Sequence, residues 1–140
     1  MKRTFYVNPV PASRPRVTRW STYYPKKYTE FRKDMEMALT NVNFKPIESL
    51  VYAKLDFYIN IPKSWSKKKK CDKINKLCDN NADLDNYCKA ILDSLNNVYY
   101  IDDRQVAMIK ARMFWSNEPR IECELKAISG DFNDKEGDVY

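Results

Sequence analysis

The sequence contains no histidine and only two glycines in 140 residues, and these absences exclude several common kinds of enzyme. Without histidine there is no Ser-His-Asp or Cys-His nucleophilic machinery and no histidine-bound metal. Gly130 and Gly137 both lie near the C-terminus, so the sequence has neither a P-loop nor a dinucleotide-binding fingerprint, and we expect no nucleotide cofactor. An enzyme with this composition must rely on carboxylates, lysines and a metal.

The cysteines and the apolar residues exclude further classes. The four cysteines include no C-x-x-C pair, so a structural zinc site is not expected. No apolar run has the length needed to span a bilayer and no signal peptide is recognisable. We therefore expect no membrane association, reduced thiols and a cytoplasmic location.

Apolar periodicity predicts an α/β or α+β fold, with a mixed β-sheet packed by helices, as a single domain over residues 1–130. Residues 131–140 are predicted to form an acidic, flexible tail. Residues 105–115 and 120–128 are expected to pair as a hairpin around the turn at 116–119. The other predicted elements are strands at 4–7 and 49–61, and helices at 30–39, 64–78 and 84–95.

Basic residues cluster in two places, which indicates a polyanionic partner such as nucleic acid. Residues 1–33 hold nine Lys or Arg against one acid, and residues 63–76 hold seven lysines against one acid. In the loop at 9–25, arginines and aromatic rings are interleaved, which suits phosphate pairing and stacking on unpaired bases. Alternatively, the rings pack on the domain. The candidate DNA contacts are Arg14, Arg16, Arg19, Lys26, Lys27, Lys67, Lys68, Lys69 and Lys70.

The acidic residues from 83 to 103 are the candidates for metal chemistry. Asp85, Lys89 and Asp93 are four apart, so they share the helix face opposite the apolar stripe. Asp83 precedes this helix, and carboxylates at a helix N-terminus are favoured by the helix dipole. Mg²⁺ prefers such oxygen ligands, usually one or two carboxylates plus substrate phosphate and water.

Two interpretations of these acids remain open at the level of spacing. In the first, Asp83 or Asp85 caps the helix and the other charges form surface ion pairs worth about 0.3–0.5 kcal/mol each. In the second, the strand after the helix returns Asp102 or Asp103 toward Asp83 and Asp85. Three carboxylates and a lysine would then form a Mg²⁺ site for phosphodiester hydrolysis.

The motifs resemble those of a known family. The segment D-L-D-N-Y-C-K-A-I-L-D at 83–93 and the segment D-D-R-Q-V at 102–106 resemble the D-x-D-N-x-x-K-x-x-x-D and D-D-x-Q-V signature of the RusA family of Holliday junction resolvases. Residues 11–17 and 24–26 are similar to the basic N-terminal segment of phage-type members. Two departures are Asn96-Asn97, where members often carry glycine, and the lysine-rich insert at 63–76.

The resemblance implies a homodimeric endonuclease that places symmetrical nicks in four-way or branched DNA. The implied cofactor is Mg²⁺, with Mn²⁺ as a substitute. By motif position, Asp83, Asp85 and Asp103 would be the metal-binding catalytic carboxylates, Lys89 the catalytic lysine, and Asp93 and Asp102 supporting residues.

Two alternatives compete with this interpretation. A restriction-type nuclease could use the Glu124-Leu125-Lys126 segment as its (D/E)-x-K element, with Asp102 or Asp103 upstream, although alternation along a strand explains the same residues. A basic DNA-binding module without catalysis could use its acids only as caps and ion pairs. Such a module would bind DNA with a steep salt dependence and would show no turnover with any divalent cation.

Overall fold

The computed structural model describes residues 1–79 and 83–131 and has an α+β architecture with one mixed sheet. The predicted fold class, a single domain with a mixed sheet packed by helices, is confirmed. The strands are β1 (Lys2–Phe5), β2 (Arg16–Val17), β3 (Thr22–Tyr23), β4 (Leu50–Asn60), β5 (Val106–Ser116) and β6 (Arg120–Ile128), and the helices are α1 (Lys26–Ala38), α2 (Lys67–Lys73) and α3 (Leu84–Ser94).

The main sheet has the strand order β1-β6-β4-β5, so the predicted β5–β6 hairpin is wrong. Strand β4 lies between them, parallel to β5 and antiparallel to β6. The turn at 116–119 crosses the end of β4, where the Ile61 amide donates to the Ser116 carbonyl at 3.1 Å. Because β5 and β6 flank β4, they are two strand spacings apart, about 9.6 Å. The three residues that link them can span this gap.

Strand β4 lies inside the sheet, between β6 and β5, and carries apolar side chains toward the core. Val51, Ala53, Leu55 and Phe57 are fully buried, as their alternation predicts. Helices α1 and α3 contribute to the same hydrophobic cluster. The opposite face of β4 is more buried than expected for a half-buried strand, because Tyr52 and Asp56 are also buried there. The Asp56 carboxylate receives two hydrogen bonds of 2.8 Å from Arg112 on β5.

Two N-terminal elements begin earlier than the sequence predicts. Strand β1 covers Lys2–Phe5 rather than residues 4–7, because it pairs with β6 in the register Phe5↔Ile121. Helix α1 begins at Lys26, directly after Pro25, whose fixed φ suits the start of a helix. Thr29 therefore lies inside the helix and does not cap it.

Helix α3 has nearly the predicted limits, at Leu84–Ser94 instead of 84–95. Its buried stripe includes Cys88, Ile91 and Leu92, and the following Leu95 is fully buried. The chain then turns through Asn97, whose φ is 62°, the left-handed conformation that asparagine tolerates in place of glycine. This turn directs the chain back along the helix toward Asp102 and Asp103.

The lysine-rich stretch is helical only over α2, so the prediction of a helix through residue 78 is wrong. Ser66 caps its start by accepting from the Lys69 amide at 3.2 Å. Beyond α2, residues 75–78 run along the free edge of β5, where the Cys78 amide donates to Met113 at 2.9 Å. An unpaired strand edge is a ready partner for such a segment.

No helix in residues 1–79 and 83–131 combines the length and apolar character that crossing a membrane requires. Residues 132–140, most of the predicted acidic tail, lie outside the described part of the chain. The boundary at residue 130 stays a prediction.

Candidate active site

Helix α3 presents its charged side chains along one exposed face, as the four-residue spacing predicts. Ala90 and Ile91 on the opposite side are fully buried and fix the rotation of the helix against the sheet. Asp85 and Lys89 are exposed, while Asp93 is half-buried. The Lys89 Nζ lies 3.4 Å from an Asp93 carboxylate oxygen, so the expected ion pair is present.

The first turn of α3 holds Asp83 and Asp85 around Asn86. Asp83 occupies the N-cap position, yet its side chain accepts no capping hydrogen bond from the helix backbone. The Asn86 side-chain amide donates to Asp83 at 3.2 Å, and the Asn86 backbone amide donates to Asp85 at 3.0 Å. Interpreting Asp83 as a simple cap is therefore wrong. Its carboxylate is exposed and oriented by a neighbouring side chain.

The return from α3 to β5 is fixed by Tyr100, which the sequence interpretation missed. Its ring is fully buried and its hydroxyl donates to the Leu92 carbonyl. This bond ties the returning chain to the residue next to Asp93. Tyr100 thereby helps to position the turn that brings Asp103 to the helix.

Residues Asp103–Gln105 form a 3₁₀ turn at the start of β5, and Asp102 is the N-cap residue of this turn. Asp102 caps this turn by accepting from the Arg104 amide at 2.9 Å. The Gln105 side-chain oxygen accepts from the amides of Ile101 and Asp102, each at 2.9 Å. Asp102 and Gln105 therefore close the turn as a capping box.

The Gln105 side chain also anchors the turn to the segment before β4. Its amide donates to the Ile47 carbonyl at 2.6 Å and to the Ser49 carbonyl at 2.8 Å. The D-x-x-Q spacing from Asp102 to Gln105 matches a capping box, and this signal could have revealed the role from sequence. With this capping box formed, the Asp103 carboxylate is not needed to cap the turn.

Asp103 contacts the acidic face of α3. Burial raises the pKa of Asp103, and hydrogen bonds and repulsion from Asp102 and Asp93 raise it further. The structure thus brings Asp103 to Asp93, and Asp93 in turn to Lys89. Asp102 has a lowered pKa, chiefly because its carboxylate accepts from the Arg104 backbone amide.

The structure does not join these acids into one three-carboxylate group. Asp93 is eight residues from Asp85, which corresponds to about 12 Å along a helix. Since Asp103 contacts Asp93, it lies toward the other half of α3 from Asp83 and Asp85. Within the described residues no three His, Cys, Asp or Glu side chains are arranged to hold a metal ion. The joint contact of Asp83, Asp85 and Asp103 stays a prediction.

A cleft of about 350 Å³ opens beside Lys89 and Asp93. Its other wall comes from the basic N-terminal segment, including Arg14 and the paired rings of Tyr24 and Tyr28, whose centroids are 5.7 Å apart. The Ala12 amide donates to the Asn86 carbonyl at 2.8 Å and fixes this segment to the first turn of α3. Arg14 and Lys89 therefore border one cleft.

The remaining predicted DNA contacts lie on exposed surfaces. Arg16 and Arg19 belong to the hairpin formed by β2 and β3, and Lys26 and Lys27 begin α1. Lys67, Lys68 and Lys69 are exposed on α2, while Lys70 is half-buried there.

Helix α2 is attached to the sheet through a tryptophan pair. The rings of Trp65 and Trp115 meet edge to face, with centroids 4.9 Å apart. The Trp115 indole donates to Asp79 at 3.1 Å, and Lys73 also pairs with Asp79. The hydrogen bond from Lys73, followed by that from Trp115, lowers the pKa of Asp79 to about 2. The lysines of α2 thus lie on a helix that is fixed to the sheet.

The alternative (D/E)-x-K element lies on the other side of the sheet. Glu124 is opposite Lys54 in the β6–β4 register, whereas its neighbour Leu125 is buried in the core that α3 covers. Because side chains alternate along a strand, Glu124 and Lys126 face away from α3. They form an ion pair of 3.5 Å, as expected for a solvent-facing strand.

Comparison with known families agrees with the motif pattern. A family model described as Endodeoxyribonuclease RusA matches residues 7–126, which include the basic N-terminal segment, α3 and the Asp103–Gln105 turn. The chain belongs to the RusA family. RusA proteins are endodeoxyribonucleases that resolve crossover junctions, so this chain is a Holliday junction resolvase acting on branched DNA. A DNA-binding module without catalysis is thereby set aside.

A second comparison gives a relative of similar length. The RusA-family chain is 33% identical to the uncharacterized protein YqaN of Bacillus subtilis strain 168. The alignment extends over 140 residues and covers 92% of this chain and 97% of the relative. Its name assigns no activity, so the functional assignment depends on the family match.

Proposed function

We propose that this RusA-family chain is a Mg²⁺-dependent homodimer that resolves Holliday junctions by paired phosphodiester hydrolysis. Asp83, Asp85 and Asp103 would hold the cation, Lys89 would act on the phosphate, and Asp93 and Asp102 would support them. The observation that carries this proposal is that Asp83 and Asp85 are exposed and that the Asp83 side chain does not cap α3. The next residue, Asn86, lines the cleft that Lys89 and Arg14 also line.

The side chains present fit a hard divalent cation. Every candidate ligand is a carboxylate, which is the donor type that Mg²⁺ prefers, and Mn²⁺ accepts the same donors. Asp83 and Asp85 are exposed and lie at the N-terminal end of α3, where the helix dipole attracts negative charge, opposite in sign to a cation, and the carboxylates remain open to solvent. When bound, the cation would lower the pKa of an attacking water and offset charge on the phosphate.

Asp103 is proposed as the third ligand on electrostatic grounds. Its raised pKa reflects burial and the nearby carboxylates of Asp102 and Asp93, an environment in which a cation would favour the ionised form. Because Asp103 contacts Asp93, Lys89 lies between two acidic groups along α3. Asp83 and Asp85 form the first group, and Asp93 and Asp103 form the second. The Asp103 turn already meets this face of the helix.

Lys89 is proposed as the residue that stabilises negative charge on the scissile phosphate. Its ammonium group is mostly exposed and borders the cleft, while Asp93 holds it at 3.4 Å. An exposed ion pair is worth little to stability, about 1 kcal/mol or less, so the pairing serves chiefly to orient the lysine. Preorganised positive charge at a reacting phosphate is worth far more.

The basic residues are proposed to hold the junction arms through phosphate contacts. Arg14 lines the cleft, Arg16, Arg19, Lys26 and Lys27 follow it in the β2–β3 hairpin and the start of α1, and Lys67–Lys70 form a second basic stretch on α2. Several cationic side chains also occupy the first turns of α1 and α2, where the helix dipole disfavours positive charge. A phosphate partner would offset that cost.

A two-fold dimer is proposed because paired nicks need two active sites in symmetrical positions. A four-way junction has approximate two-fold symmetry, and a dimer with the same symmetry presents one site to each of two strands. The DNA substrate is the reason to expect a cytoplasmic location, in a bacterial or phage-infected cell.

The experiment that tests the site compares two lysines in a junction-cleavage assay. A labelled four-way junction is incubated with Mg²⁺ and native protein, Lys89→Ala or Lys126→Ala. We expect Lys89→Ala to lower the rate by about 10²–10³-fold, because one charge-stabilising donor is lost. The Lys126→Ala control should cut like the native chain, since Lys126 lies on the opposite face of the sheet.

The same assay separates chemistry from binding. Asp85→Asn should bind the junction normally but cut at background, because it loses one ligand without altering the basic surface. Loss of cutting in Lys126→Ala alone, with Lys89→Ala still active, would show that the proposed site is wrong. Cutting that persists in EDTA would refute the metal requirement.

A further inference from the structure

The hairpin of β2 and β3 projects an aromatic ring into solvent. Its turn is held by the Thr18 amide, which donates to the Ser21 carbonyl at 2.7 Å, and by the Ser21 amide, which donates to the Thr18 hydroxyl at 3.0 Å. Trp20 sits in this turn and is 86% exposed. The structured turn therefore fixes the backbone from which the Trp20 ring projects.

This exposure decides between the two interpretations of the loop's aromatic residues for Trp20, whereas Tyr24 packs on the ring of Tyr28. Trp20 does not pack on the domain, and Val17 on β2 is also exposed. The described contact of the Trp20 ring is with the Arg19 guanidinium, 5.2 Å from the ring centroid. An exposed tryptophan contributes little to the fold, so its ring is available to a partner.

The hairpin emerges from the rim of the active-site cleft. Pro15 immediately precedes β2 and Tyr24 immediately follows β3, and both line the cleft with Lys89 and Asp93. From Pro15 to Trp20 the chain spans at most about 17 Å. Nucleotides along one DNA strand advance by about 3.4 Å, so this reach corresponds to about five nucleotides.

The basic residues near Trp20 favour nucleic acid as the partner of its ring. Arg14, Arg16 and Arg19 flank it in sequence, and Lys26 and Lys27 follow at the start of α1. A base in continuous duplex already stacks on both faces, whereas a base at the centre of a branched junction can expose one. Aromatic side chains stack on such bases irrespective of their identity.

We propose that the β2–β3 hairpin is a branch-point element in which Trp20 stacks on an unpaired base, within about five nucleotides of the cleaved phosphate. This inference rests on the proposed junction-cleaving function and adds a residue that recognises the opened centre of the junction. Trp20 contacts the base while the flanking arginines contact phosphates.

The test uses a four-way junction with 2-aminopurine at its centre, bound by the Asp85→Asn chain so that no cutting occurs. We expect binding to change the 2-aminopurine fluorescence, and Trp20→Ala in this background to return it to the free-junction value. Trp20→Ala should also weaken junction affinity by about 5- to 150-fold, while affinity for linear duplex changes little. Trp20→Phe should restore the signal.

Tyr6→Ala is the matched control, because Tyr6 is another highly exposed aromatic residue that does not line the cleft. It should leave both signal and affinity unchanged. An unchanged fluorescence signal in Trp20→Ala, an equal loss of affinity for linear duplex, or dissociation of the dimer by light scattering would each overturn the stacking role.

Cleavage by the native chain, measured in parallel, separates this inference from the proposed function. Normal cutting with a signal that does not depend on Trp20 refutes the stacking role alone. A signal that depends on Trp20, together with no cutting under Mg²⁺ or Mn²⁺, supports the stacking role and refutes the proposed nuclease chemistry.

Discussion

At the scale of single residues, Asp103 is a proposed metal ligand whose surroundings lower the stability of the fold. Burial and the carboxylates of Asp93 and Asp102 raise its pKa above the usual value of 3.8. A carboxylate with a raised folded-state pKa destabilises the fold once it is ionised in both states. Retaining such a residue is reasonable if a cation normally occupies the site.

Asp103→Asn should therefore raise the melting temperature of the metal-free protein at neutral pH, because it removes one of three mutually repelling carboxylates. The gain should be fully present above the raised pKa of Asp103 and should disappear as the pH falls below about 3.8, the usual value, where the carboxylate is protonated in both states. Thermal unfolding in EDTA across this pH range is the measurement.

The same unfolding experiment with Mg²⁺ tests whether Asp103 belongs to the ligand set. Adding it should raise the melting temperature of the native protein more than that of Asp103→Asn, because a ligand stabilises the state that binds it. Asp34→Asn, at an exposed position on α1, is the control and should respond to Mg²⁺ like the native chain. Equal stabilisation of Asp103→Asn by Mg²⁺ would remove Asp103 from the ligand set.

At the scale of elements, the position of the Asp103–Gln105 turn depends mainly on one side chain, that of Gln105. Gln105 accepts from two backbone amides and donates to the carbonyls of Ile47 and Ser49. It thus connects the start of β5 to the segment before β4. A long-range anchor of this kind fixes the angle at which Asp103 meets α3.

Gln105→Ala should lower the free energy of unfolding by about 1–3 kcal/mol, because partly buried backbone groups lose their partners. The cutting rate should fall while junction affinity is retained, since no DNA contact is removed. Gln105→Glu should be intermediate, because it keeps the acceptors but cannot donate to the carbonyls. A loss of affinity with an unchanged maximal rate would contradict the positioning role.

Helix α3 and strand β4 could be predicted because each is determined by its own periodicity. Leu84, Cys88 and Ile91 place the stripe of α3, and the alternation of Val51, Ala53 and Leu55 places the inner face of β4. The same local reasoning correctly put Asp85, Lys89 and Asp93 on one face of α3. It also gave the Lys89–Asp93 ion pair.

Pairing partners could not be predicted in this way. The turn at 116–119 looks like a hairpin turn, but β4 has partners on both edges and lies between β5 and β6. Whether Asp103 meets Asp93 or Asp85 depends on the anchoring of Tyr100 to Leu92, a contact across the helix that no local spacing encodes. Residues 75–78 likewise follow the edge of β5 rather than a helical preference.

At the scale of the whole molecule, charge and symmetry bear on the same substrate. The net charge of +6, with basic residues concentrated in the N-terminal segment and on α2, suits a polyanion with several arms. If two copies act as a two-fold dimer, each supplies one active site to one strand. Cutting of the two strands should then be separable by subunit.

Mixed dimers test this directly. Differently tagged native and Asp85→Asn chains are unfolded together and refolded, and the heterodimer is isolated through both tags. On a junction held in a supercoiled plasmid, the heterodimer should nick one strand, whereas native dimers refolded in the same way should cut both. Cutting of both strands by the heterodimer, or a native chain that is monomeric in solution, would contradict the dimer proposal.

The most direct measurement is a crystal structure of the native chain grown with Mn²⁺, in which anomalous scattering locates the cation. We expect one Mn²⁺ in contact with carboxylate oxygens of Asp83, Asp85 and Asp103, at ligand distances between those typical of Mg²⁺, about 2.0–2.1 Å, and of Ca²⁺, about 2.3–2.6 Å. Such a site requires Asp103 to reach the first turn of α3 as well as Asp93. A cation held by Asp93 and Asp103 alone, or one bound at Glu124, would contradict the proposed site.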